Sequence, residues 1–181
     1  MTQKNPDEDP RFQDATHWAD PESWKRRHHV GDSGDHESTP EQRLAAVAAR
    51  KPRLLVWTAA TRDTYTICRP DGHTVAHDRF HPDLIIDSED AATESAALQG
   101  IWLAALARGL CGADVATVRV VTARAAPDPN VLRRAAFASG LVLDLAVDAV
   151  TNPATEHRRG VWVDWRRVDL TSLIQHPRRP Q

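Results

Sequence analysis

The sequence predicts an α/β fold: a mixed sheet in the order βββαβαβ, flanked by helices and preceded by a disordered N-terminal arm. Three observations predict it. Three strand-like runs separated by short turns come early in the chain and imply antiparallel pairing. A long amphipathic helical stretch follows them. The rest alternates strand, helix and strand, which needs crossovers and therefore parallel pairing.

Each element has a local reason. Residues 1–37 are polar, charged and broken by Pro and Gly, the composition of a disordered tail. Phe12, Trp18 and Trp24 stand out in it as candidate anchors for a protein partner. Residues 38–51 read as a short helix and linker. Thr39 caps, Pro40 takes the first helical position, Gln42 completes a capping box, and Lys51-Pro52 stops the helix near Arg50. The main domain is expected over 52–170, with 171–181 as a C-terminal tail. Arg53 to Thr58 is an apolar strand, and Thr64 to Arg69 is a second. Pro70-Asp71-Gly72 makes a turn, because Pro fixes one φ and Gly supplies a positive one. His73 to Phe80 is the third strand.

The long helix covers Asp87 to Leu110. Leu98, Ile101, Trp102, Ala105 and Leu106 recur at the spacing of one helical face. Asp87 or Ser88 caps it, Glu89 and Asp90 suit its positive end, and Gly109 is placed to end it. Thr117 to Thr122 is the fourth strand. Asp128-Pro129-Asn130 opens a second helix that stops at Gly140. The last strand is either Leu141 to Val150 or Val161 to Trp165, with the first preferred.

The bulk numbers exclude some functions. A net charge of -2 over 181 residues supplies no global field toward nucleic acid or an acidic membrane, so any such binding needs a local patch. Cys68 and Cys111 both sit among apolar residues and read as reduced, buried thiols of a cytoplasmic protein. No apolar run reaches membrane-spanning length, and no membrane partner is expected.

The element order and the local text resemble the ribonuclease H-like superfamily, and type 1 ribonucleases H in particular. The first strand of that family ends in a Thr-Asp-Gly or Thr-Asp-Ala run; here it reads Val56-Trp57-Thr58-Ala59-Ala60. A Thr-Asn-Asn opening and a Glu-Leu pair mark its first helix; here Ala92-Thr93-Glu94-Ser95-Ala96-Ala97-Leu98 takes that place. Its fourth strand ends in Thr-Asp-Ser, against Val121-Thr122-Ala123-Arg124 here. The resemblance covers about 53–150. It implies carboxylates holding two Mg²⁺ ions about 4 Å apart, one activating water and one stabilising the leaving oxygen. In this register the three positions are Ala59, Ala97 and Ala123, with Ala59 and Ala123 facing Ala97. Magnesium needs oxygen ligands and alanine has none.

The expectation is therefore a catalytically inactive domain that acts as a nucleic-acid-binding or assembly subunit without a cofactor. One alternative is a Mg²⁺-dependent nuclease that cleaves RNA in RNA–DNA hybrids through the shifted carboxylates Asp63, Glu94 and Glu156. Another is a protein-interaction module that binds no nucleic acid. Arg124, Arg133, Arg134, Arg158 and Arg159, joined by Arg166 and Arg167, are expected to gather into a patch that grips hybrid or single-stranded phosphates. Trp162 and Trp165 are candidate base-stacking residues. His73, His77 and His81 recur every four residues, but four strand residues span roughly 13 Å. One Zn²⁺ cannot collect them, so they read as exposed or edge residues.

Overall fold

A computed structural model describes residues 38–126 and 128–175, without the side chains of 157–159. The N-terminal arm with Phe12, Trp18 and Trp24 lies outside the described residues. The elements in chain order are α1 (Pro40–Ala48), β1 (Arg53–Ala60), β2 (Thr64–Cys68), β3 (Thr74–Arg79), α2 (Glu89–Leu110), β4 (Ala116–Thr122), α3 (Pro129–Ala138) and β5 (Leu141–Val147). Three short 3₁₀ segments follow: Pro153–Arg159, Trp165–Arg167 and Leu170–Leu173.

The five strands form one mixed sheet in the order β3-β2-β1-β4-β5. β1, β2 and β3 pair antiparallel, and β1–β4 and β4–β5 pair parallel. The predicted order βββαβαβ is thus the observed one. The last strand is Leu141–Val147. Val161 to Trp165 is no strand: Val163 alone forms an isolated antiparallel bridge to His77.

α2 lies across one face. Its buried residues include Ala92, Ala96, Ala97, Gly100, Ala104 and Ala107 beside Ile101 and Leu103. Such small side chains let a helix approach a sheet closely, while each fully buried Ile or Leu contributes about 1.5–3 kcal/mol of apolar burial. Leu54 and Val56 of β1 and Val118 and Val120 of β4 meet it from the sheet. α3 covers the same face beside β5, through Leu132 and Ala136. On the opposite face, α1 packs Leu44 and Ala48 against Val115 and Val142, and the segment Pro153–Arg159 covers β1 and β2.

Local capping explains the helix starts. Thr39 and Gln42 form the full capping box of α1, and Ser88 caps α2 by accepting from the Ala91 N–H. Two expectations need correction. α2 passes Gly109 and ends at Leu110, because Gly112, at φ 66°, takes the left-handed position after it. Cys111 is exposed, since it caps that helix outside the core, whereas Cys68 is buried.

Candidate functional site

The three alanines do not come together. Ala97 is fully buried in the main core under α2. Ala59 and Ala123 belong to a separate apolar cluster with Cys68 and Ala154, on the other face of the sheet. There burial pushes the Cys68 thiol up to about 11, against the lowering effect of its contact with Thr74. The expected facing of Ala97 by Ala59 and Ala123 is therefore not what the fold builds. Strand parity explains it: successive side chains alternate faces, so a residue adjacent to an α2-facing one points away.

The α2-facing residues at that level are Thr58 and Thr122, which are register partners and buried. Thr122 Oγ1 donates to the Arg124 carbonyl at 2.5 Å. Above Thr58 stands Gly100. A Cβ added there would sit 3.0 Å from both Thr58 Cγ2 and Val56 Cγ1. Helix and strand are already in contact, and no carboxylate lies between them. Beyond the strand ends, Asn152 bridges β1 and β4: its Nδ2 donates to the Thr58 carbonyl at 3.0 Å and to that of Val121 at 3.4 Å.

The acids stay apart. Asp63 is exposed in the turn between β1 and β2, Glu94 is half-buried on α2, and Glu156 is exposed in the segment Pro153–Arg159. Among the described residues no three His, Cys, Asp or Glu gather where they would hold a metal ion.

The arginines expected to form a patch stand on several different elements. Arg124 is ion-paired with Glu89. Arg133 is bonded to Asn130 at 3.0 Å, and Arg134 is exposed; both belong to α3, beside β5. The side chains of Arg158 and Arg159 lie outside the described residues. Arg166 and Arg167 pair with Asp164 in a segment that packs on β3, the opposite edge of the sheet.

A different surface is assembled at the β3 edge. A hollow of about 690 Å³ opens between the β1–β2 turn, the end of β3 and the segment that follows it, lined by Arg62, Asp63, Arg79, His81, Leu84 and Trp162 among others. His77, expected at an exposed edge, is buried and hydrogen-bonds Thr66 Oγ1 through Nδ1 at 2.8 Å. Trp162 stacks on its ring, with centroids 4.9 Å apart and planes 17° from parallel. Val163, the next residue, exchanges two backbone hydrogen bonds of 3.0 Å with His77, which fixes the strap that carries Trp162. The Arg79 guanidinium lies 5.8 Å from the centroid of the same indole, within reach of a cation–π interaction. Trp162 nonetheless keeps 54% of its surface exposed. Arg62 and Arg79 form no ion pair among the described residues, in contrast to Arg69, Arg119 and Arg124, which do. His73 and His81 are exposed, as expected, each beside an aspartate.

Sequence reasoning named Trp162 and Asp63 without linking either to this hollow. The alternation in Val161-Trp162-Val163 is the one local signal, and nothing local joins it to His77. The fold and site thus define an α/β domain with a five-stranded mixed sheet, a closed helix–sheet interface and a basic, aromatic hollow at one edge. No protein-family model matches the chain, and no curated protein matches it.

Proposed function

We propose that this chain is a non-catalytic domain of the ribonuclease H-like class that binds nucleic acid. The observation that carries the reading is that the three positions where the resemblance expects metal-holding carboxylates are alanines on opposite faces of the sheet, with Ala97 in the core under α2 and Ala59 and Ala123 beside Cys68 and Ala154. The sheet order and the long helix after the antiparallel strands support the class. Two arginines that form no ion pair among the described residues, beside an exposed tryptophan, support nucleic acid as the ligand, since they combine phosphate contact with base stacking.

The test is fluorescence anisotropy with labelled RNA–DNA hybrid and labelled single strand, with Mg²⁺ or with chelator, followed by gel analysis of the same samples. The expected result is binding that weakens with salt, is indifferent to chelation and leaves the strands intact. Mg²⁺-dependent cleavage abolished by Glu94→Gln would overturn the non-catalytic reading. No binding of either ligand at low salt would overturn the nucleic-acid reading.

A further inference from the structure

We propose that the hollow at the β3 edge is a nucleotide subsite, in which Trp162 stacks one base and Arg62 and Arg79 hold the neighbouring phosphate. This deepens the nucleic-acid reading and rests on it. The volume, about 690 Å³, falls inside the roughly 300–1,000 Å³ typical of small-ligand sites. Its chemistry is divided. Arg62 and Arg79 supply cationic forks for an anion, while Phe80, Leu84 and Ile86 supply an apolar lining for a ring or sugar. A divalent cation fits poorly, because Asp63 is the one carboxylate in a lining that also holds two arginines.

The indole is prepared for stacking. One ring already lies parallel to it, that of buried His77, and the backbone pair between His77 and Val163 fixes the adjoining chain. A base on the exposed indole surface would continue the stack without reordering the platform. Ordering entropy is the usual opposing term in binding, so a platform fixed before the ligand arrives favours affinity. The order His77, Trp162, base also puts the ligand at the sheet edge, where Arg79 ends β3 and Arg62 sits in the facing turn. The same chemistry suits a unit of a single strand or a free nucleotide, and the experiment separates them.

Binding of a labelled homopyrimidine single strand is measured by anisotropy for the full chain, for Trp162→Ala, for Trp162→Phe and for the double variant Arg62→Ala/Arg79→Ala. Arg43→Ala/Arg50→Ala, which removes the same charge at the α1 end, is the control. Competition with a free nucleoside monophosphate is run in parallel, and circular dichroism melts check each fold. Trp162→Ala is expected to weaken binding at least about tenfold, the scale of one lost base stack, and Trp162→Phe to retain most of the affinity. The Arg62/Arg79 double variant is expected to weaken binding and to lower the salt slope by about 0.7, the scale of one phosphate contact on a single strand. The control should stay within about twofold of the parent, because α1 packs against β4 and β5, away from the β3 edge, and exposed charges are screened over about 10 Å at 0.1 M salt.

Strand binding unchanged in the folded Trp162 and arginine variants overturns the subsite and leaves the nucleic-acid reading standing. A free nucleotide bound through Trp162 while no strand binds supports the subsite and overturns the polynucleotide reading. Binding of neither overturns both.

Discussion

Replacing Asn152 by alanine tests how the two central strands are held at their C-terminal ends. The side chain is buried. Its Nδ2 donates to the carbonyls of Thr58 and Val121, and its Oδ1 accepts the Ala154 N–H at 3.0 Å. Asn152→Ala removes a donor from two carbonyls and the acceptor from a buried N–H. An unsatisfied buried group costs about 1–3 kcal/mol. The Ala154 N–H bears that in full, and the carbonyls, with a second lone pair each, bear less. The sum is about 3 kcal/mol. With a urea m-value of about 2 kcal/mol/M, the midpoint falls by about 1.5 M in a denaturation series followed by circular dichroism. A loss below about 1 kcal/mol would refute the bridging role.

Asn152→Asp then separates hydrogen bonding from shape. A carboxylate there would face two carbonyl oxygens in a buried site, which favours the protonated acid and raises its folded pKa above the unfolded value of about 3.9. A group with a raised folded pKa has its full stability below the unfolded pKa and loses it as pH rises through the folded one. Asn152→Asp should therefore lie closer to the parent at pH 4 than at pH 7, while the Asn152→Ala deficit stays flat. An Asp deficit that is also flat would refute the geometry.

Four further outcomes are expected. Gly140→Ala should cost at least about 2 kcal/mol in the same urea series, because its φ is 67° and a Cβ would lie 2.9 Å from the Asp114 carbonyl oxygen; a variant as stable as the parent would contradict that. Iodoacetamide near pH 8, with peptide mapping, should label exposed Cys111 in the native protein and reach Cys68, with its thiol pushed up to about 11, only after unfolding. The side chain and backbone of Thr151, with the Val150 N–H, hold the Asp148 carboxyl below its ordinary value. Its contribution is present above the unfolded pKa and disappears as pH falls through the folded one, so Asp148→Asn should destabilise at pH 7 and shrink its deficit toward pH 2 in thermal melts. Ala97→Glu should lower stability by about 3 kcal/mol or more, for a carboxylate forced into the core, and Mg²⁺ should not restore the melting temperature.

Most of the fold is legible because its signals are local. Thr39-Pro40-Glu41-Gln42, the Pro70-Asp71-Gly72 turn and the helical spacing around Ile101 each act within a few residues, and each element formed where they stand, although α2 buries Ala97, Gly100, Ala104 and Ala107 beside Ile101, leaves Leu98, Ala105 and Leu106 only partly buried and Trp102 exposed. What failed to read out involves distant partners. His77 looked like an edge histidine because its position on β3 does not reveal that the chain 86 residues later pairs with it and that Trp162 covers its ring. Trp165 likewise meets Trp102 edge-on at 4.8 Å, a contact no window of sequence contains. Val161 to Trp165 reads as a strand by composition, yet it offers one bridging residue, since the chain turns into a 3₁₀ segment immediately after Asp164.

The site failed for a different reason, which is the two-residue period of a strand. The resemblance along β1 places the acidic position at Ala59, and a shift of one residue exchanges every inward position for an outward one. The structure points Thr58 and Thr122 at α2 and turns Ala59 and Ala123 toward Cys68 and Ala154. The difference from the expected site is consequently larger than the absence of carboxylates at three positions. Acids introduced at 59 and 123 would stand across the sheet from Ala97. Acids at 58 and 122 would meet a helix already seated at van der Waals distance through Gly100. A metal-holding site would need α2 to stand off from the sheet, and its alanine-rich buried face instead favours close approach. At the β3 edge, by contrast, Arg62 and Arg79 form no ion pair among the described residues and Trp162 stays 54% exposed, which is why the proposed binding is sought there and not between helix and sheet.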